Sequence, residues 1–381
     1  MREIPRTVAV LLLLILLLNL TGCYDRRDIE RRTAILALGI DKNPEDGPGL
    51  EVTAQIAVYH NMGEAVGGTE EGGEGAPLQV ASVRGPSIGT ALEKLENMVN
   101  NPIFLGHTML LAISQEAATG GIYPLLDYLL RSNDFRRKSW LIITPGSAKE
   151  LLELTSPLHP LPPLYILTTL ESLANNKAIP IMRFEDFMFR FNSPSKQPVA
   201  VMLKPAGDKV ELEGLAAFAR EKMVGKLSPA ELRIFLYLSQ AKGRGLINLL
   251  GAAGGQIKYS YEVRNSNRRV ATSLKNNQVS FAIDLWLEGN IVENPEQTNL
   301  DDESVLKELE QRLSAQLERE CQRVIRKIQG ELATDILNLG EYVRAYHPHY
   351  WQKVDWQKEF PTVPITVHVT THIRRLGLRR K

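Results

Sequence analysis

Cysteine is nearly absent, with two residues, Cys23 and Cys321, in a chain of 381. That excludes a disulfide framework and the paired Cys-x-x-Cys ligands of structural zinc. The fold must rest on hydrophobic burial, and a chain of this length with 44% hydrophobic residues has enough apolar surface for two or three domains. A charge excess is absent too. Lys and Arg number 45 against 44 Asp and Glu, so no basic footprint for nucleic acid exists. Catalytic signatures are also missing: no Gly-x-Ser-x-Gly elbow, no His-Glu-x-x-His helix. Gly243-Arg244-Gly245 and Gly251-Ala252-Ala253-Gly254-Gly255 match neither a dinucleotide fingerprint nor a phosphate loop, and read as turns at a domain boundary. His347-Pro348-His349 spans a proline with no local third ligand, and His368 and His372 fall on the solvent side of a strand, so no metal site is expected. Nor is a cofactor, or an enzyme, although the separation of a carboxylate pair is a tertiary quantity that sequence does not give.

Long apolar runs are missing except for one. Arg2 and Arg6 precede Val8 to Leu18, which is uninterrupted aliphatic and ends at Leu20-Thr21-Gly22-Cys23. The run falls short of the roughly 20 residues that a membrane span needs, and its layout is that of an exported, cleaved leader. Leu-Thr-Gly-Cys resembles a bacterial lipobox, whose cysteine receives diacylglycerol and becomes the first residue of the mature protein. Cys23 is thus the candidate lipid attachment site; an ordinary secretory signal with a chance cysteine, or a retained span, are the alternatives. Two acyl chains, at about 0.8 kcal/mol per buried methylene, hold a protein stably on a membrane where one does not.

Beyond Cys23 the chain alternates strand and helix patterns. Strands are expected at 33–41, 50–59, 78–84, 109–114, 139–144 and 198–203, with helices at 87–100, 116–131, 147–154, 164–175 and 184–191. The stretch from Gly63 to Pro77, rich in glycine and glutamate, reads as a solvated loop. Phe184, Phe187, Phe189 and Phe191 either pack on the sheet or line a ligand pocket. A hairpin at 212–227 and a helix capped by Ser228 follow. The last third holds alternating strands around 257–264, 279–288 and 365–373. Between them lie a long helix capped by Asn299 and a second helix over 333–346. The stripe Leu306, Leu309, Leu313, Leu317, Cys321, Val324, Ile328 marks the buried face of the long helix and makes Cys321 a buried thiol. The expected class is α+β, with mixed sheets, packed helices and a sheet face left to solvent or a partner. The division is 1–22 signal peptide, 23–204 N-terminal domain, 205–255 small middle domain and 256–381 C-terminal domain.

Gly22-Cys23-Tyr24-Asp25-Arg26-Arg27-Asp28-Ile29-Glu30, followed by Ala37-Leu38-Gly39-Ile40-Asp41, resembles the Ger(x)C family, the C-subunit lipoproteins of spore nutrient-germinant receptors. Tyr24 stands where that family usually has tryptophan. Asp335 to Gly340, Tyr346 to Trp351, Trp356, Phe360 and Ile373 to Gly377 resemble the family's C-terminal pattern, and Gly214 to Phe218 and Met223 to Gly225 its middle. The resemblance implies a three-domain lipoprotein on the outer face of the spore inner membrane, assembled with membrane-embedded A and B subunits. It implies no catalytic residue, cofactor or metal, and it carries over one site, the acylated Cys23. Trp351, Trp356 and the pair Asp335 and Gly340 match family positions and read first as fold determinants. A lipid-anchored solute-binding protein is the alternative function; a lipoprotein enzyme acting on the cell wall is a more distant one.

Overall fold

The computed structural model describes residues 7, 32–43, 47, 49–58, 77–155, 159, 161–240, 243–250, 257–295 and 299–375. Cys23, almost all of the leader and all but the last residue of the loop read at 63–77 lie outside these residues.

A nine-stranded mixed sheet forms the first layer. Its centre is β1 (Thr33–Lys42), buried from Thr33 through Asp41, as befits an unbroken apolar run covered on both faces. On one side β2 (Leu50–Ala57) and β3 (Leu78–Gly85) continue antiparallel. The two-residue β4 (Ile103–Phe104) pairs with the start of β1. On the other side β5 (Leu110–Ser114), β6 (Trp140–Thr144) and β7 (Val199–Ala206) run parallel to β1. The antiparallel hairpin β8 (Lys209–Ala219) and β9 (Lys222–Leu227) completes the sheet. Pro205, where the sequence suggests a boundary, pairs with Val210 inside this sheet.

Six helices cover it: α1 (Ile88–Glu96), α2 (Gln115–Gly120), α3 (Tyr123–Arg131), α4 (Ala148–Glu153), α5 (Pro162–Asn175) and α6 (Phe184–Phe191). Ser87 caps α1 as expected, its hydroxyl accepting from Thr90 N at 3.2 Å. The single helix expected over 116–131 is two, because Gly121 takes φ +127° and Ile122 N turns away to donate to Glu221 O. The Gly39-Ile40-Asp41 motif proves to be a joint. A side chain at Gly39 would meet Leu152 Cδ1 at 3.0 Å and Ala148 Cβ at 3.3 Å, so glycine lets α4 lie close on β1. Asp41 then accepts from Ala148 N (2.8 Å), Lys149 N (3.0 Å) and Ser147 Oγ (3.0 Å). It occupies the positive end of α4 that an anion could otherwise take.

The second layer is a four-stranded sheet, β10 (Gly245–Leu250), β11 (Ile257–Lys275), β12 (Gln278–Glu293) and β13 (Ile365–Arg375), in that order. β11 and β12 form one long hairpin, turned at Asn276 and Asn277, both at positive φ. The glycine at 245 begins β10 instead of serving only as a boundary turn, and β13 lies parallel to β12. Along β12 every second residue from Val279 to Leu287 is buried. These side chains belong to the same hydrophobic core as the buried stripe Leu309, Leu313, Leu317, Cys321, Val324 and Ile328 of the long α8 (Glu303–Gly330). Asp302, rather than Asn299, caps α8: its Oδ1 accepts from Ser304 N at 2.8 Å. Burial raises the Cys321 thiol to about 12, an inert structural cysteine.

Helices also close the edges of this sheet, α8 above all. Glu310, Ser314 and Glu318, four residues apart, accept from the outward amides of Ile373 (2.7 Å), Thr371 (3.0 Å) and Val369 (2.9 Å). Four helical residues advance about 6.0 Å and two strand residues about 6.6 Å, so the rows stay matched. At the far edge, the β10 carbonyls of Leu246 and Asn248 accept from Arg233 and Gln316. A sheet edge so covered is a poor template for another strand.

Between the layers runs α7 (Pro229–Gln240). Ser228 and Glu231 cap it reciprocally, Ser228 N donating to Glu231 Oε2 at 2.8 Å, and Lys327 of α8 donates to the same oxygen at 2.7 Å. Burial acts to raise the Glu231 carboxyl, but the Lys327 and Ser228 hydrogen bonds outweigh it and hold the group below its ordinary 4.5. A carboxylate depressed in the folded state stabilises fully above its unfolded value and loses that contribution as pH falls through the folded one. Glu231→Gln is therefore expected to cost about 1 kcal/mol at pH 7. The gap to wild type closes below about pH 4.5 in denaturant titrations across pH; a gap independent of pH contradicts it.

Candidate functional site

The segment after α8 leaves the helical path at once. Ala333 and Asn338 take positive φ, and helix resumes only at α9 (Leu339–Tyr346), not at 333 as the apolar spacing suggests. The reason is Asp335. Buried at 3% exposure, its carboxylate accepts from Leu339 N (3.1 Å), Gly340 N (2.7 Å) and Trp356 Nε1 (2.9 Å). It satisfies amides at the start of α9 and fastens that helix to the chain 21 residues on. Burial pushes the Asp335 carboxyl up, against the pull of these donors.

Trp356 begins the short α11 (Trp356–Glu359), which follows the one-turn α10 (Pro348–Trp351). Its ring packs with Phe281 (6.3 Å), Trp351 (6.0 Å) and Phe360 (6.0 Å), so the C-terminal aromatics seal the second sheet. Trp356 and Asp335 are thus joined as one unit, with Gly340 between them: a side chain at 340 would meet Trp356 Nε1 at 2.6 Å.

The same segment meets the first sheet's layer. Thr334 Oγ1 donates to Phe218 O at 3.0 Å, and Arg190 Nη1 donates to Asn338 Oδ1 at 3.1 Å. Ser195 donates to Glu341, whose other oxygen lies 3.6 Å from Lys196 Nζ. Burial lowers the Arg190 guanidinium, with Asp186 and Asp335 opposing. Burial likewise acts to raise Glu341, but Ser195, Arg344 and Lys196 prevail and lower it. Arg190, Ser195, Lys196 and Glu341 carry no motif in sequence. Their one signal is an arginine set among the phenylalanines of α6.

Beside this seam opens a cleft of about 180 Å³, lined from one side by Phe191, Lys196, Gln197 and Arg220 and from the other by Trp351, Val354 and Asp355 to Gln357. The four phenylalanines divide: Phe184 and Phe187 are core, Phe191 lines the cleft and Phe189 is 66% exposed. His368 and His372 pair with Glu318 (2.9 Å) and Glu310 (3.0 Å) of α8. Among the described residues no group of three metal-ligating side chains occurs, and no helix is long and apolar enough to cross a membrane.

The arrangement joins the two layers. Known proteins match it along almost the whole chain. Residues 25–205 match the family model described as spore germination protein N-terminal domain. Residues 213–377 match the model for the C-terminal part of spore germination B3/GerAC-like proteins. Spore germination protein KC of Bacillus subtilis (strain 168) is 26% identical, covering 99% of this chain and 97% of that protein. Spore germination protein B3 of the same organism is 24% identical over 95% of this chain and 96% of its own length. The crystal structure of the GerBC protein superposes with TM-score 0.60 at 19% identity, over 88% of this chain and 96% of that one, which shows a common fold. With both halves matched in order and the fold shared, the chain belongs to the Ger(x)C family of spore germination proteins.

Proposed function

We propose that this protein is the C subunit of a nutrient-germinant receptor, required for the receptor to assemble or signal when germination begins. The observation that carries this reading is the pair of family matches, which leave little of the chain beyond the leader uncovered. Its partners are membrane-embedded A and B subunits, and its role is structural rather than catalytic. Acylated Cys23 anchors it to membrane lipid on the outer face of the spore inner membrane. Confinement to that plane raises its effective concentration near integral partners. Arg26, Arg27 and Arg31 lie close to the anchor in sequence, where each basic residue near an anionic surface adds about 1 kcal/mol; Arg32 instead stacks over the Phe104 ring at 4.7 Å.

Two measurements test this. Wild-type chain is expected in the spore membrane fraction with a diacylated N-terminal Cys23, while Cys23→Ala leaves it unacylated and shifts it to the soluble fraction; unchanged partitioning argues against the anchor. Affinity isolation from spore membranes is expected to bring down two multi-span proteins, and recovery of the chain alone argues against the receptor.

A further inference from the structure

The seam cleft has more room than joining two layers requires. At about 30 Å³ of liquid volume per water, its 180 Å³ holds about six waters, room for a small organic molecule. Its walls are mixed: Phe191, Trp351, Trp356 and Val354 supply an apolar strip among the polar Ser193, Lys196, Gln197, Arg220, Asp355 and Gln357. Its charge is mostly of one sign. Lys196 is shared between Glu341 at 3.6 Å and the Phe189 ring at 4.8 Å. Asp355, the acid at the rim, already pairs with Lys358 at 3.2 Å. Arg220 has no carboxylate partner among the described residues; its Nε donates to the Gln357 amide oxygen at 3.4 Å. Its backbone is held in place, because Arg220 N donates to the Oε1 of buried Gln197 at 2.8 Å.

We propose that this cleft binds a small carboxylic acid with an apolar body. The carboxylate pairs with the Arg220 guanidinium, whose planar fork suits two oxygens at once, and the body lies against Trp351 and Val354. Amines of the same shape are disfavoured, since Arg220 and Lys196 repel an ammonium and the carboxylate of the lining, Asp355, is already held by Lys358. A ligand so placed bridges the β8–β9 turn and the chain between α10 and α11, and stabilises the seam by mass action. The inference goes beyond the receptor reading and stands or falls separately from it.

Calorimetric titration of the full-length chain in detergent tests it, with 3-phenylpropionate and phenethylamine as probes. The acid is expected to bind with Kd in the millimolar range or tighter, and the amine not at all. Arg220→Gln, at an exposed turn, is expected to weaken the acid at least tenfold with no change in melting temperature, and Val354→Trp to abolish binding by filling the cleft. Absence of acid binding, equal binding of the amine, or an unaltered Kd in Arg220→Gln overturns the proposal.

Discussion

Asp335→Ala is expected to destabilise the protein by about 3–5 kcal/mol, the cost of leaving several buried N–H donors unsatisfied at about 1–3 kcal/mol each. Three buried donors, Leu339 N, Gly340 N and Trp356 Nε1, lose their acceptor together. Asp335→Asn keeps the shape and isolates the chemistry. Oδ1 takes one donor and Oδ2 takes two, so either orientation of an asparagine amide sets an NH₂ against an N–H. That costs about 1–3 kcal/mol. Trp356→Phe removes a single donor, and a double-mutant cycle between positions 335 and 356 is expected to show a coupling of about 1 kcal/mol or more. Urea unfolding of the three variants checks the order, alanine worst; additivity at the two positions contradicts a joined unit.

Gly340→Ala is expected to cost about 2–3 kcal/mol, the reverse of what an alanine does in an ordinary helix, where it gains about 1 kcal/mol over glycine. The added Cβ falls 2.6 Å from Trp356 Nε1, 2.9 Å from its Cδ1 and 3.1 Å from Ser195 O. The indole cannot retreat without leaving Asp335, and Ser195 is backbone of the opposite layer. Gly330→Ala at the end of α8, where nothing lies within 4 Å of the added atom, is the control and is expected to be neutral or mildly stabilising. Equal effects at 330 and 340 would contradict close packing at the seam.

Elements held by local pattern were readable from the residues. The stripe on α8 and the alternation along β12 and β13 specify which side is buried, and the structure buries those sides. What escaped depends on partners distant in sequence. Asp41 reads as the last residue of a strand, and only the fold brings it to α4, more than 100 residues on. Glu310, Ser314 and Glu318 look like the solvated flank of a helix, yet they cap a strand edge about 60 residues away. The residues from 333 to 338 have helical spacing, but a tertiary carboxylate and two left-handed residues override it. β10 carries no clear strand signal, because six residues between glycine-rich stretches give too short an alternation. For the function, the informative signals were motifs at the two ends of the chain. The one site they name, Cys23, is defined by covalent chemistry and lies outside the described residues.

The decisive measurement is nutrient-triggered germination of spores lacking this gene, complemented with wild type or with Cys23→Ala. A receptor C subunit predicts that deletion abolishes the response to at least one nutrient while nutrient-independent germination proceeds, that wild type restores it and that Cys23→Ala does not. Full germination of the deletion strain on every nutrient, in a background cleared of other germinant receptors, would contradict it.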